Sequence, residues 1–483
     1  TVCLAQINLK GLKQIGTVDE RFQSYNIEMC EVIGGDFWIP YELIDSVRRT
    51  SGKTGFAALK WKIEPINLYE QKLRTLAAAL GPVYVRVSGT WANDVYFQNN
   101  DEPILSEAPE GFNNVLTRAQ WKSVVDYCKA VNGKIVTSFA ISDGMHDANG
   151  NYKIDQVKDL IAFTKSVGGE IAAAEMFNEP TFASHGNAPE GYNAENFADD
   201  FTVFNGFAKS YYPQMLITGP GGVGEGGMLG TGAISFDIAT EDIMAKLPQN
   251  PFDVFTYHFY GGVSKRCGGN QTPESVLTQD WLGKTEKALD FYEKIREKYN
   301  PAAPIWLNET GEAACGGDPL ASTWVDCFRY LEQLGRLAQK GVQSVMHNTL
   351  ARSEYALLDH DTHNPRPNYW AALLWARLMG NEVYESNALR PGVDMFIHNK
   401  KGKKKGKTVL ILNTLNESTM ISLPASAKQY LLTADELLTK KINLNGEELQ
   451  LRVNDALPDI KGTTVKKGDL SLPPYSIVFL TFK

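Results

Sequence analysis

Residues 134–180 read KIVTSFAISDGMHDANGNYKIDQVKDLIAFTKSVGGEIAAAEMFNEP. The run opens on an apolar, β-branched stretch, Lys134–Ile141, and then crosses a loop of Gly, Asn and Asp. An amphipathic segment follows at Ile154–Ser166, and Ile171–Phe177 is again apolar. Strand, helix, strand, with both strands predominantly apolar, marks a parallel βα unit, because parallel strands are covered on both faces. The alternation extends in both directions. Strands are predicted at Phe22–Ile27, Val83–Val87, Met215–Thr218, Val254–Tyr260, Ile305–Leu307 and Val342–Met346. Helical periodicity falls at Tyr69–Leu80, Arg118–Val131, Ala194–Tyr211, Glu274–Lys298, Ala321–Lys340 and Tyr369–Met379. Eight such units fit a (β/α)8 TIM barrel, an α/β fold of about 250 residues or more.

Near residue 381 the texture changes. Lys407–Ile411, Met420–Leu423, Gln429–Leu432, Leu449–Val453 and Tyr475–Phe482 alternate with turns and carry little helix. That pattern predicts a smaller antiparallel β-sandwich of about 100 residues. The strand Val2–Leu9 lies outside the barrel count and is assigned to the sandwich. The expected organisation is a catalytic barrel over 22–380 and a sandwich built from 1–21 plus 381–483. The run NKKGKKKGK (399–407) reads as a solvated hairpin tip, with docking of a polyanion as the sharper alternative.

Lys and Arg number 48 against 56 Asp and Glu, a net charge of −8 that argues against nucleic acid or a membrane surface as partner. No apolar run approaches the roughly 20 residues of a membrane helix, so no membrane span is expected. The six cysteines form no CxxC pair and show no zinc spacing. The sequence begins at Thr1 rather than Met, which gives the expectation of a removed leader and a secreted or periplasmic protein. A monomer without metal or cofactor is expected.

In a (β/α)8 barrel the chemistry sits at the carboxyl ends of the strands. Strand 2 there delivers Arg86 and Thr90, strand 4 ends in Asn178-Glu179-Pro180, strand 6 supplies His258 and Tyr260, and strand 7 ends in Asn308-Glu309-Thr310. Glu179 and Glu309 would face one another across the barrel mouth. Glycoside hydrolysis needs such a pair, one carboxylic acid to protonate the leaving oxygen and one carboxylate to attack or to activate water. Arg86 and the Tyr260 hydroxyl would keep Glu309 ionised, while burial and the neighbouring carboxylate would hold the proton on Glu179. Cys267 and Cys315 fall on loops after strands 6 and 7 at the same mouth, and a disulfide between them is expected.

Longer stretches carry a resemblance. LGPVYVRVSGT (80–90), FDVFTYHFY (252–260), WLNETGEAACGG (306–317) and YALLDHDTHNPRPNYW (355–370) resemble glycoside hydrolase family 79, the heparanase family within clan A. LLTKKINLNGEELQL (437–451) and LSLPPYSIVFL (470–480) are similar to its sandwich. The resemblance implies a retaining β-glucuronidase acting on a glucuronic-acid-containing glycan or glucuronide, with endo or exo action open; the alternatives are another clan A retaining β-glycosidase of xylosidase or glucosidase type, or a non-catalytic glycan-binding protein. It makes Glu179 the acid/base and Glu309 the nucleophile. It also implies that Asn178 contacts the sugar 2-hydroxyl, that Arg86, His258 and Tyr260 surround the nucleophile, and that Glu28 and Thr90 bind sugar. Tyr355 and the backbone of Gly316 and Gly317 would receive the uronic acid carboxylate, since backbone N–H groups and a phenol can bind an anion without a metal. Glu28 stands where heparanases carry Asp, Ser353 replaces a glycine, and the loop after Glu309 is one residue longer. The loop TFASHGNAPEGYN after Glu179 carries no lysine or arginine, and together these departures weaken the inference to a heparan sulfate preference.

Other patterns are set aside. Gly219–Gly224 fits GxGxxG but follows the fifth strand and runs into more glycines, so a mouth loop is predicted rather than a dinucleotide site. Asp147–Asn151 resembles the start of a calcium loop, yet Tyr152 and Lys158 occupy the positions that need Gly and Glu. His360 and His363 read as a solvated pair. Of the sequons at Asn270, Asn308 and Asn416, the one at Asn308 adjoins Glu309 and is expected to be inaccessible.

Overall fold

The computed structural model describes residues 5–227, 236–403 and 405–483. Eight parallel strands close a barrel: β1 (Gln23–Glu28), β2 (Val83–Ser88), β3 (Gly133–Ser138), β4 (Ile171–Glu175), β5 (Leu216–Gly222), β6 (Val254–Tyr260), β7 (Ile305–Gly311) and β8 (Ser344–His347). Helices α1 (Gln71–Ala78), α2 (Arg118–Ala130), α3 (Asp155–Ser166), α4 (Ala194–Tyr211), α5 (Thr240–Lys246), α6 (Lys284–Tyr299), α7 (Trp324–Gln339) and α8 (Pro367–Leu378) surround it. The floor of the barrel interior is a plug of Tyr84, Val136, Ala173, Val254, Trp306 and Met346, one from each of six strands. That apolar layer lies toward the amino ends of the strands and leaves their carboxyl ends to polar residues.

Local sequence sets the helix ends. Thr117 and Gln120 form a capping box at α2, and Asn193 accepts from the backbone of Glu195 and Asn196 at α4. The single helix expected over Glu274–Lys298 is three pieces, Ser275–Leu277, Gln279–Leu282 and α6. The Thr278 hydroxyl accepts from Trp281 N and starts a new turn, and Gly283 separates that turn from α6.

Two further layers complete the described structure, the larger antiparallel and the smaller mixed, with Ala5–Gln6 parallel to Thr419–Leu423 and Thr419–Leu423 antiparallel to Gly468–Leu472. The larger runs through Gln14–Thr17, β9 (Met379–Tyr384), β10 (Val393–Lys400), β11 (Lys407–Asn413), β15 (Ser476–Phe482) and β13 (Ala427–Thr433), with short strands at its far edge. The smaller combines Ala5–Gln6, β12 (Thr419–Leu423) and β14 (Gly468–Leu472). Val393, Ile397, Ile411, Val478 and Leu480 face the smaller layer, whereas Phe396, Leu410, Leu412, Ile477 and Phe479 join the core under the barrel helices. The central sheet is therefore buried on both faces, which explains why β11 is apolar almost throughout instead of alternating.

One expectation from the sequence needs correction here, and one segment had none. Leu449–Val453 is not a strand, because Leu449 and Leu451 pack on the core while Val453 enters a single turn. The segment between β1 and α1, which no sequence signal had organised, is a substantial excursion. It contains an antiparallel hairpin, Gly35–Trp38 against Lys60–Ile63, and a short helix, Ile44–Ser51. The lysine run forms the β10–β11 connection, with His398 opposite Thr408 and Asn399 opposite Lys407, and Lys404 lies outside the described residues.

Candidate active site

Strand β2 carries Arg86 into the barrel with 1% of its surface exposed, and it organises everything around it. Its Nη1 donates to Glu309 Oε2 at 2.8 Å, and its Nη2 donates to Glu175 Oε2 and to Asn178 Oδ1, each at 2.8 Å. A guanidinium can serve three acceptors at once because its donors are fixed in a planar fork. Glu309 comes from β7, and its second oxygen accepts from the Tyr260 hydroxyl at 2.7 Å. Burial by itself raises the Glu309 carboxyl, but the neighbouring His258 and Arg86, with hydrogen bonds from Tyr260 and Arg86, bring it below the ordinary glutamate range.

Glu179 sits just past β4. Its backbone is in the left-handed region, φ 53° and ψ 61°, which costs a non-glycine residue about 1 kcal/mol and fixes where its side chain emerges. His258 Nδ1 lies 2.9 Å from Glu179 Oε1 and 3.7 Å from Glu309 Oε2. Its Nε2 faces Arg86 Nη2 at 3.3 Å, and because a guanidinium can only donate, the imidazole proton is assigned to Nδ1, pointing at Glu179. Burial and then the charge of Glu309 raise the Glu179 carboxyl above its usual value, with His258 and Arg86 opposing. The donor atoms of Glu179, His258 and Glu309 all lie within 4.8 Å of one another. Two adjacent acids are thus pushed apart in acidity, one toward the proton-bearing form and one toward the carboxylate.

The cavity above them has a volume of about 400 Å³. Its walls include Glu28, Thr90, Tyr260 and Tyr355. Asn348 Nδ2 lies within donor reach of Glu28 Oε1 (2.9 Å), Tyr260 OH (3.1 Å) and Tyr355 OH (3.2 Å), so one amide ties the strand 1, 6 and 8 sides together. Burial and the Glu309 charge raise the Glu28 carboxyl well above the glutamate range. Gly89, at φ 94°, is obligatory beside it, since a Cβ there would lie 1.6 Å from Glu28 Oε2. Gly316 and Gly317 sit one layer behind the wall, which Ala314 and Cys315 form. A Cβ on Gly316 would strike the Trp38 ring at 2.6 Å, and one on Gly317 would lie 3.0 Å from Tyr355. Cys267 and Cys315 are joined as a disulfide, with Cα atoms 6.5 Å apart.

Two residues of this constellation escaped the sequence reading. Glu175, within β4, accepts from Arg86, from Thr256 Oγ1 at 2.9 Å and from Asn308 Nδ2 at 2.7 Å. An acid inside an otherwise apolar strand is the signal that could have found it, because a buried carboxylate needs a cation. Asn348 had only its place after strand 8 to mark it. Of the features set aside, the Gly219–Gly224 motif lies within β5 and its continuation, and among the described residues the next helix opens at Thr240. Part of the predicted mouth loop, residues 228–235, lies outside the described residues. The Asp147 carboxylate is taken up by the backbone N–H groups of Asn149 and Asn151.

A (β/α)8 barrel with two opposed carboxylates at its carboxyl end, one held acidic and one held basic, defines a glycoside hydrolase of the two-carboxylate class. The model of the family described as "Glycosyl hydrolase family 79, N-terminal domain" matches residues 6–335, and the chain belongs to that family. It is similar to a baicalin-beta-D-glucuronidase from Scutellaria baicalensis, 26% identical over 465 residues covering 86% of this chain and 83% of that protein. It is also similar to a heparanase from Gallus gallus, 31% identical over 250 residues covering 48% of this chain and 47% of the other. Among solved structures, a 4-O-alpha-L-rhamnosyl-beta-D-glucuronidase from Fusarium oxysporum shares the fold, with a TM-score of 0.65 at 14% identity over 99% of this chain and 100% of that one.

Proposed function

We propose that the protein is a retaining β-glucuronidase acting on a glucuronic-acid-containing glycan or glucuronide. The observation that carries this is the short gap between the acids: oxygen atoms of Glu179 and Glu309 lie within 4.8 Å. Retaining enzymes hold their carboxyl groups about 5–5.5 Å apart, whereas inverting ones leave a wider gap for water. Glu309, ionised, attacks the anomeric carbon while Glu179 gives its proton to the departing oxygen. The glycosyl-enzyme ester that results is opened by water, which Glu179, now a carboxylate, deprotonates. Asn178, held by Arg86, meets the 2-hydroxyl, while Glu28 and Thr90 receive other hydroxyls. Tyr355, with the loop that brings Ala314 and Cys315 to the cavity wall, takes the sugar's carboxylate. The names of the two relatives, a glucuronidase and a heparanase, support the same substrate class.

Aryl β-glucuronide and aryl β-xyloside hydrolysis by the purified protein, with its variants, tests the reading. Wild type is expected to prefer the glucuronide. Glu309→Gln should lower kcat by at least about 10⁴-fold, the scale seen when a nucleophile is removed. Glu179→Gln should chiefly slow substrates with poor leaving groups. Near wild-type turnover by Glu309→Gln would refute the mechanism, and a preference for the xyloside would refute the uronic acid assignment. The Cys267–Cys315 bond supports the further proposal of an oxidising, extracytoplasmic compartment.

A further inference from the structure

Connections between a barrel strand and its helix usually take a handful of residues, and long ones that carry structure of their own are mostly functional. The excursion between β1 and α1 is such a connection, and it is built into the active-site wall. Arg266 Nη1 donates to Ile39 O at 2.6 Å, and the Tyr41 hydroxyl donates to Gly317 O at 3.2 Å. Trp38 lies on Gly316. The hairpin, the loop after β6 and the disulfide-tied loop after β7 therefore form one wall.

On that wall stands a lysine. Lys60 Nζ lies 5.1 Å from the Trp38 ring centre and 4.8 Å from that of Trp91, so two indole faces fix the head of a long side chain. Among the described residues, Lys60 is the only lysine or arginine lining the catalytic cavity, which otherwise presents the carboxyls of Glu28, Glu179, Asp237 and Glu309. Lys60, with Thr90, Trp91, Ser184 and His185, also lines an adjoining groove of about 650 Å³. Lys62, two residues on and hence on the same side of the strand, lines the groove alone. The groove's own acids are already engaged: Asp94 accepts from Asn113, Asn114 and Asn187, and Asp36 is paired with Lys53 at 2.9 Å.

We propose that this groove receives the anionic continuation of a uronic-acid-containing glycan, with Lys60 at its junction with the catalytic cavity and Lys62 further out. The proposal rests on the glucuronidase reading. It adds that the enzyme recognises a carboxylate beyond the reacting sugar, and so favours an acidic chain over a simple glucuronide. Without these lysines such a chain would meet, among the described residues, a wall with no lysine or arginine, opposite the ionised Glu309.

The test uses an unsulfated tetrasaccharide of alternating glucuronic acid and N-acetylglucosamine beside an aryl glucuronide. Affinity for the tetrasaccharide is read as KM, or as its inhibition constant against aryl glucuronide hydrolysis where no product forms. In Lys60→Gln/Lys62→Gln the ratio of tetrasaccharide to aryl glucuronide constants should rise about tenfold, while the Arg pair at the same positions should hold it near the wild-type value. Wild type offers an independent measurement: added salt should weaken the tetrasaccharide more steeply than the aryl glucuronide, as screening of an exposed contact requires. An unchanged ratio, an equal loss on both substrates, or a tetrasaccharide that neither reacts nor inhibits would overturn the groove and leave the glucuronidase reading standing. Absence of aryl glucuronide hydrolysis by wild type would take down both.

Discussion

Arg86 is the residue on which the acidity of the site turns. It contacts Glu309, Glu175 and Asn178 at once, and Glu309 is the group whose ionisation catalysis needs. Glu309 lies below the ordinary glutamate range and Glu179 above it, so kcat/KM should follow a bell whose acidic limb reports Glu309 and whose basic limb reports Glu179. Replacing Arg86 by Gln removes a positive charge and a hydrogen bond from the carboxylate. The Glu309 pKa must then rise, and the acidic limb should move to higher pH while the basic limb moves less. A pH–rate profile of Arg86→Gln whose acidic limb stays in place would show that Arg86 does not set the nucleophile's charge. Arg86, His258, Tyr260 and the two acids were legible because polar residues at strand ends violate an otherwise apolar pattern. Glu175 and Asn348 were not, because partners from distant strands define their roles, and no spacing within one strand records those partners.

At the scale of elements, β7 carries the site on one side of the sheet and a buried acid just after it. Glu312 is 1% exposed, accepts from Asp318 N at 3.0 Å, and is raised to about 8 by burial and by the charges of Asp318 and Asp326. Its folded pKa exceeds its unfolded one, so its contribution is fully present below the ordinary glutamate value and is lost as pH rises toward 8. Glu312→Gln should therefore flatten the fall in melting temperature between pH 5 and pH 8. Parallel Tm curves for wild type and variant would contradict this. The eight barrel strands followed from periodicity with errors of up to four residues at their ends, whereas Thr240–Lys246 and Val393–Lys400 went unpredicted. The β1–α1 excursion did not, because its strands are short, its apolar residues are Trp38, Trp61 and Phe37 packed locally, and its order comes from the wall it joins.

Barrel and sandwich share one interface in the whole molecule. Gly335 in α7 sits against Phe396 of β10 so closely that a Cβ would lie 2.4 Å from the ring, and Arg336 reaches Asp394 at 3.4 Å. The backbone of Trp324 and Val325 donates to Thr439 O and Leu437 O. Such continuity predicts a single cooperative unfolding transition by calorimetry. Gly335→Val should lower its midpoint by an overpacking cost of about 1–3 kcal/mol. Two separate transitions in the wild type would contradict the shared core. The sandwich was the less legible half. Its central sheet is buried on both sides, so alternation is muted, and its first strands lie at the far end of the chain from the rest.

In the proposed mechanism Glu309 forms a covalent bond to a glucuronic acid. Incubation with a 2-deoxy-2-fluoro-glucuronide carrying a good leaving group, followed by peptide mass spectrometry, tests it directly. One equivalent of fluoroglucuronyl ester is expected on the peptide containing Glu309, formed as activity is lost. Full hydrolysis without an adduct, or an adduct on Glu179 instead, would contradict it.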